Sequence, residues 1–284
     1  MRLNRTFMPA SLERYLEADG YDAGAIPTDI SATALKDSPR VHRLKREFRD
    51  QIEYDKLSRG FAKLGDAWHH HMEMYAPDNW ITERRFYAQV DDKVVSGAID
   101  AIQPDIGGVN IWDYKVMPAW KAQTDLVEFE RQLNIYAFLL RQNDMQPLRL
   151  FISAVIRDWS DKRVSGSYPE TMFPTFEMKL WPEEEAEEYV KQRLSLHFGE
   201  ELPFCTDEER WMSPPKYAVV SEKTGKTLRL FLNEDEALSY KTKTAVRVEK
   251  RKSEPVRCQR FCDVSAFCKQ YQSEVFMTEL MNSV

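Results

Sequence analysis

The chain has 284 residues, 43% of them hydrophobic and 30% charged, the balance of a soluble globular protein with one good core and room for an appendage. A net charge of −6 does not advertise a nucleic-acid binder, so any phosphate contact falls to local basic clusters. There is no apolar run long enough for a membrane span, and the opening Met1–Pro9 is too short and broken for a signal peptide, which together predict a cytoplasmic protein.

Residues 1–30 hold scattered Gly, Pro and Asp without periodicity. Ser31-Ala-Thr-Ala-Leu opens a helical stretch interrupted at Pro39 and resumed through Phe48, carrying the basic residues Arg40, Arg43, Lys45, Arg46 and Arg49. A further helix is predicted from Phe61 to Tyr75. On it, Gly65-x-x-x-His69 leads into His70 and His71, and Glu73 shares the face of His69. Three consecutive histidines cannot all face one site on a helix. Ile81 to Val90 is a strand candidate with Glu83 near its start; Glu73 and Glu83 are reserve candidates for an extra ligand and otherwise ordinary surface acids.

Val94–Ile102 and Val109–Val116 are rich in Val, Ile and aromatics, and Pro104-Asp105-Ile106-Gly107-Gly108 supplies turn residues between them. The pair reads as a β-hairpin. If it folds symmetrically about Ile106 and Gly107, Asp100 falls opposite Asp113. Asp113 and Lys115 then share a face while Tyr114 points away. Like charges directly opposed destabilise a sheet. A hard divalent cation held by carboxylate oxygens removes that penalty. Next, Leu126, Phe129, Leu133, Tyr136, Ala137 and Leu140 follow helical spacing after a cap at Thr124 or Asp125, which sets Gln132 and Tyr136 one turn apart.

Gly97-x-x-Asp100, Asp113-x-Lys115 and Gln132-x-x-x-Tyr136, in this order on hairpin and helix, resemble the RecB-like branch of the PD-(D/E)XK nucleases, which includes phage exonucleases and CRISPR adaptation nucleases. The resemblance covers about residues 31–271 and extends to Gly65-x-x-x-His69, whose histidine is a metal ligand in that branch. It implies an α/β fold of restriction-endonuclease type, a mixed central sheet flanked by helices, with residues 1–200 as the nuclease core and its N-terminal helical region. It further implies a site in which His69, Asp100, Asp113 and the Tyr114 carbonyl hold Mg²⁺ or Mn²⁺. Lys115 positions water or stabilises the phosphate, Gln132 orients the strand or Lys115, and Tyr136 supports the site.

Further on, Leu148–Arg157 is an apolar run fit for a buried strand. Asp158-Trp-Ser-Asp-Lys-Arg is a polar loop, Phe176–Trp181 another strand, and Pro182–Phe198 a helix whose first turn gathers the acids Glu183 to Glu188. Residues 201–284 are expected to form a C-terminal extension packed on the core. Trp211–Asn233 holds a small hairpin around Thr224-Gly225, and Lys241–Arg257 is a second basic run. This piece carries every cysteine of the chain, Cys205 and then Cys258-x3-Cys262-x5-Cys268. Four thiolates gathered in a cytosolic protein point to a metal centre, and by count they fit a [4Fe–4S] cluster or Zn²⁺ equally. The resemblance favours iron–sulfur, although Cys205 follows the nuclease motifs instead of preceding them and the first gap is three residues instead of two.

The function so implied is metal-dependent hydrolysis of DNA, exonucleolytic, in recombination, repair or phage genome processing by a bacterial or phage protein. The alternative is a non-catalytic DNA-binding module that keeps the fold. No Gly-x4-Gly-Lys-Ser/Thr motif is present, so a helicase or recombinase function belongs to a partner.

Overall fold

The computed structural model describes residues 9–18, 26–53, 60–124, 126–240, 242 and 244–282. They divide into one unit of residues 1–39 with 53–202 and a second of residues 40–52 with 203–284. The stretch 40–52, read from sequence with the N-terminal helical region, thus groups with the cysteine-bearing piece. The proposed cap Asp125, and Lys241 and Lys243 of the second basic run, lie outside the described residues. Among the described residues no helix is long and apolar enough to cross a membrane.

The first unit runs α1 (Ala10–Glu17), β1 (Ile30–Ser31) and α2 (Ala32–Lys36), then, beyond α3 (Pro39–Glu47), α4 (Gly60–Met74), β2 (Ile81–Val90), β3 (Lys93–Asp105), β4 (Gly108–Met117), α5 (Ala119–Ala122), α6 (Val127–Arg141), β5 (Pro147–Ile156), β6 (Thr175–Met178) and α7 (Glu183–Phe198). Ser31 caps α2 by accepting a hydrogen bond from the Ala34 N–H, which satisfies a backbone donor that the helix leaves free. β3 and β4 run closer to the turn than their apolar content suggested. The loop shrinks to Ile106-Gly107, with Gly107 at φ +85°, a conformation that costs glycine little. Register is symmetric as expected, with Asp105 paired to Gly108 and Ala101 to Trp112. Asp100 and Asp113 stand at the next step, where the ladder stops.

β3 is the hub of a mixed sheet. It pairs antiparallel with β2 and β4 and parallel with β1; β4 pairs parallel with β5, and β5 antiparallel with β6. β6 is shorter than the predicted Phe176–Trp181, because Asn134 of α6 takes over the backbone there. Its amide donates to the Lys179 carbonyl and its side-chain oxygen accepts from the Trp181 N–H. α6 lies across the sheet with every residue from Gln132 to Leu140 buried, the signature of a helix inside the core rather than on a surface. Its start differs from the expected cap: Leu126 occupies that position without a side-chain hydrogen bond. Helix and sheet close on each other at Gly97 of β3. A Cβ there would stand 2.8 Å from the Tyr136 ring and 3.0 Å from Leu139.

The second unit contains the rest of α3, then β7 (Lys216–Ser221), β8 (Thr227–Phe231), α8 (Glu234–Leu238), β9 (Val246–Arg251), α9 (Val256–Arg260) and α10 (Lys269–Asn282). β7 and β8 are the predicted hairpin, turning at Gly225 with φ +66°. β9, not expected from the sequence, pairs with the other edge of β7. A small core of Val41, Leu44, Val264 and Cys268 is extended by Phe48 stacked on Phe267, ring centroids 4.4 Å apart.

The close approach at Gly97 yields a stability prediction. Gly97→Ala drives a methyl into two core side chains in a packed interior, a change that costs about 1–3 kcal/mol. Thermal melts of the variant should show a clearly lowered midpoint. An unchanged midpoint would show that α6 has slack to withdraw from β3.

Candidate active site

Local folding brings five elements to one point. α4 carries His69, β2 carries Glu83, β3 and β4 carry Asp100, Asp113, Tyr114 and Lys115, and α6 carries Gln132 and Tyr136. Asp100 and Asp113 are buried. A buried carboxylate is tolerated only when hydrogen-bonded or paired. Asp100 Oδ2 accepts from the Tyr114 backbone N–H at 2.7 Å. Asp113 forms an ion pair with the Lys115 ammonium and accepts from Gln132 Nε2 at 3.2 Å. Gln132 Nε2 also donates to the Tyr136 hydroxyl at 2.8 Å, and Thr33 of α2 is a further partner of that hydroxyl. The Gln132-x-x-x-Tyr136 spacing is therefore one turn of helix that props Asp113 from behind. Thr33 was not foreseen; it belongs to a segment whose only visible signal was its helical pattern.

His69 Nε2 lies 2.7 Å from the Tyr114 carbonyl oxygen. A carbonyl only accepts, so Nε2 is the donor there, and Nδ1 is the nitrogen that faces the carboxylates. Nδ1 is 3.6 Å from an Asp100 oxygen and 3.9 Å from a Glu83 oxygen. These ligand atoms of His69, Glu83 and Asp100 all lie within 4.8 Å of one another. Three electron-rich atoms facing each other are unfavourable unless protons or a cation sit among them. The titration behaviour follows. Burial, and then the Asp113 charge, push the Asp100 carboxyl up to about 6. Burial, and then Asp100, push Glu83 up to about 7. Burial works against the Lys115 ammonium, yet Asp113 and Asp100 outweigh it and raise its pKa.

Glu83 thus stands in the trio, having been only a reserve candidate in the sequence. Its backbone takes φ +47°, a strained conformation for a residue with a side chain and one that clusters at functional sites. It lies between the pairs Thr82–Ala101 and Arg84–Ile99, so it stands opposite Asp100. Cross-strand register of β2 with β3 would have found it. Asp113 stands outside the trio, its carboxylate committed to Lys115 and Gln132. His70 is largely exposed and 3.8 Å from Glu73, an acid that stays near enough to the trio to help raise Glu83. Gly65 leaves open space where a Cβ would go, so packing at that position does not demand glycine.

In the second unit, Cys205, Cys258, Cys262 and Cys268 line one enclosed cavity together with Val41, Leu44, Arg210 and Arg257. None forms a disulfide. Cys205 is held to the start of α10 by a double hydrogen bond: its N–H donates to Gln270 Oε1 at 2.8 Å and its carbonyl accepts from Gln270 Nε2 at 3.0 Å. Burial pushes the Cys262 thiol up, with the Val264 backbone and Arg257 pulling the other way. Among the described residues, His69, Glu83 and Asp100 are the only three metal-ligating groups with ligand atoms within 4.8 Å of one another.

Comparison with known proteins adds the following. A crystal structure of a protein designated SSO0001 is 20% identical, over 66% of this chain and 85% of that one, with a TM-score of 0.47. A crystal structure of a protein from Eubacterium rectale provisionally named an exonuclease is 16% identical, over 58% of this chain and 65% of that one, with a TM-score of 0.32. No curated protein matches the chain. The family model of the PD-(D/E)XK nuclease superfamily matches residues 10–269. With that match spanning the mixed sheet, α6 and all the site residues above, the chain belongs to the PD-(D/E)XK nuclease superfamily.

Proposed function

We propose that the chain is a metal-dependent deoxyribonuclease that hydrolyses phosphodiester bonds, acting as an exonuclease in recombination, repair or phage genome processing. The observation that carries this reading is the meeting of His69, Glu83 and Asp100 ligand atoms within 4.8 Å, next to a lysine paired with a buried aspartate. A module that only bound DNA has no use for neighbouring buried carboxylates, which weaken its fold. The exonucleolytic mode rests on the likeness of the motif set to the RecB-like branch.

The donor set fits a divalent cation. His69, Glu83 and Asp100 would hold it, with Asp113 and the Tyr114 carbonyl as neighbouring oxygen donors. Oxygen ligands suit Mg²⁺, and the imidazole leans toward Mn²⁺. When bound there, the ion supplies Lewis acidity, polarising the phosphate and acidifying water. Lys115 brings a fixed positive charge to the phosphate as it becomes more negative in the transition state. Asp113 holds that ammonium in place, and Gln132 and Tyr136 hold Asp113. No covalent intermediate with the chain is required.

By number the four thiols fit a [4Fe–4S] cluster or Zn²⁺ equally, and the likeness to the RecB-like branch favours the cluster. The proposed centre is structural. It would tie Cys205 to α9 and α10 and stabilise a unit with a very small core of its own.

Several outcomes are expected. Asp113→Ala and Lys115→Met should each lower Mg²⁺- or Mn²⁺-dependent cleavage of end-labelled DNA by about 10²–10³-fold or more, with the circular dichroism unchanged. His69→Ala should do far more damage than His70→Ala or His71→Ala. Cleavage by Asp113→Ala at the wild-type rate would refute the site.

Asp100 has a folded pKa of about 6 against an ordinary 3.8. A carboxyl raised in this way contributes stability at low pH that is lost as pH climbs through the folded value. In chelator, Asp100→Asn should therefore melt higher than wild type at pH 8, by on the order of 1 kcal/mol, and the gain should fade toward pH 5. Added Mg²⁺ should raise the wild type and not the variant.

For the cysteines, anaerobic purification with metal analysis and visible spectroscopy is decisive. Brown protein with iron and sulfide is expected; colourless protein holding one zinc would replace the cluster with the runner-up. Absence of both, with all four thiols titratable in the fold, would end the idea of a centre.

A further inference from the structure

Three lysines converge beside the hydrolytic site, and only one of them has a role so far. Lys36 is the last residue of α2, Lys115 lies on β4 and Lys121 on α5. Their ammonium nitrogens stand 5.7, 5.7 and 5.5 Å from the centroid of a single ring, that of Phe129 in the first turn of α6. Attraction between a cation and a ring is modest, about 0.5–2 kcal/mol. It does not offset gathering three like charges in a partly buried place. Two carboxylates answer them. Asp113 pairs with Lys115, and Glu128 pairs with Lys121 at 2.9 Å. Among the described residues, the Lys36 ammonium has no hydrogen bond or ion pair of its own. Its burial lowers its pKa, Glu128, Asp113 and the adjacent Asp37 offset this only in part, and Lys115 adds to the fall.

Among the described residues, Lys36 is thus the one of the three lysines whose ammonium no carboxylate pairs, and it lies beside the lysine that faces the reacting phosphate. A packed lysine stem could be explained by the apolar cover it gives Phe129. That explanation does not account for three ammoniums from three elements meeting at the same ring. An anion bound among them does.

We infer that Lys36 and Lys121, together with Lys115, form a phosphate subsite that holds the strand's phosphate adjacent to the one being hydrolysed. This rests on the nuclease reading above. Lys36 and Lys121 are positioning residues here: they fix where the strand lies relative to Lys115 and Asp113 and take no part in bond breaking. The same chemistry serves an internal phosphodiester or a terminal phosphomonoester, and substrate ends tell them apart.

The test uses the full chain and a 3′-labelled single DNA strand carrying either a 5′-phosphate or a 5′-hydroxyl. Binding is followed by fluorescence anisotropy in Ca²⁺ across a salt series, and KM and kcat are measured separately in Mg²⁺. Lys36→Met keeps the apolar stem and removes the charge; Lys121→Gln, on a separate element, guards against a folding defect in the first; Lys36→Arg restores charge. Each neutral variant should raise Kd and KM by roughly tenfold, leave kcat within about twofold, and lower the slope of log K against log salt by about 1. Lys36→Arg should recover most of the slope. Equal losses with both 5′ ends assign the subsite to an internal phosphodiester. Losses confined to the phosphorylated strand assign it to a terminal phosphate. Neutral variants that keep the wild-type Kd and salt slope overturn the subsite, whether or not the protein cuts DNA. A wild type that binds with the expected slope yet never cuts would refute the nuclease reading and leave the subsite standing.

Discussion

Two aspartates buried opposite each other at one step of a hairpin form the constraint on which the first unit depends. A carboxylate removed from water costs several kcal/mol unless its oxygens are answered. Each oxygen that is answered fixes another part of the structure. The Tyr114 N–H that reaches Asp100 is free to do so because the β3–β4 ladder stops at Ala101–Trp112. The amide that reaches Asp113 sits on α6, so the helix must cross the sheet at that height, with Gln132 above β4. Gly97 lets the helix come close enough, since a side chain there would meet Tyr136. The glycine, the aspartates, the lysine, the glutamine and the tyrosine of the motif set are one packing problem with a polar centre.

What remains unanswered after that packing is the Asp100 oxygen that faces Glu83 and His69. In the absence of a cation the carboxyls retain protons toward neutral pH, as their raised values of about 6 and about 7 indicate. The fold therefore stores an unfavourable arrangement of lone pairs at one point and covers it with a large apolar core of sheet, α6 and α7. Glu83 adds backbone strain at the same place. Strain and like charge concentrated where a ligand binds are the usual departures from local consistency in an otherwise well-packed domain.

These departures also explain what could and could not be read in advance. The hairpin was legible because Val, Ile and aromatics alternate on both sides of a two-residue turn, and the symmetric register then placed Asp100 and Asp113 at one step. α6 was legible because its apolar spacing is unbroken, and His69 because Gly65-x-x-x-His69 resembles the RecB-like motif and so points to one of three histidines. Glu83 escaped because its reach into the site depends on a left-handed φ and on the pairing of β2 with β3, neither of which has a local signature. β6 was overestimated because its later residues look strand-like but are claimed by Asn134 on α6. Thr33 and Lys36 lie on a short helix whose place beside the site is set by β1 pairing with Val95 and Ser96 of β3. The grouping of residues 40–52 with the C-terminal piece depends on apolar contacts such as Phe48 with Phe267, across a sequence separation that no periodicity reports.

Charge gives the last step. A chain of net −6 repels DNA on average, and at physiological salt that average is screened beyond about 8 Å. What a strand meets is the local field. Part of the acid is spent at the first turn of α7, where Glu183, Glu184 and Glu185 complement the helix dipole and stay in solvent. The site itself holds Lys36, Lys115 and Lys121 around Phe129 on one side and the His69–Glu83–Asp100 trio on the other. A phosphate strand is drawn to the first and resisted by the second, whose two carboxylates a divalent ion would neutralise. The same carboxylates that strain the unloaded fold would then make productive binding depend on the metal, because loading removes the negative charge that faces the strand beside the three lysines.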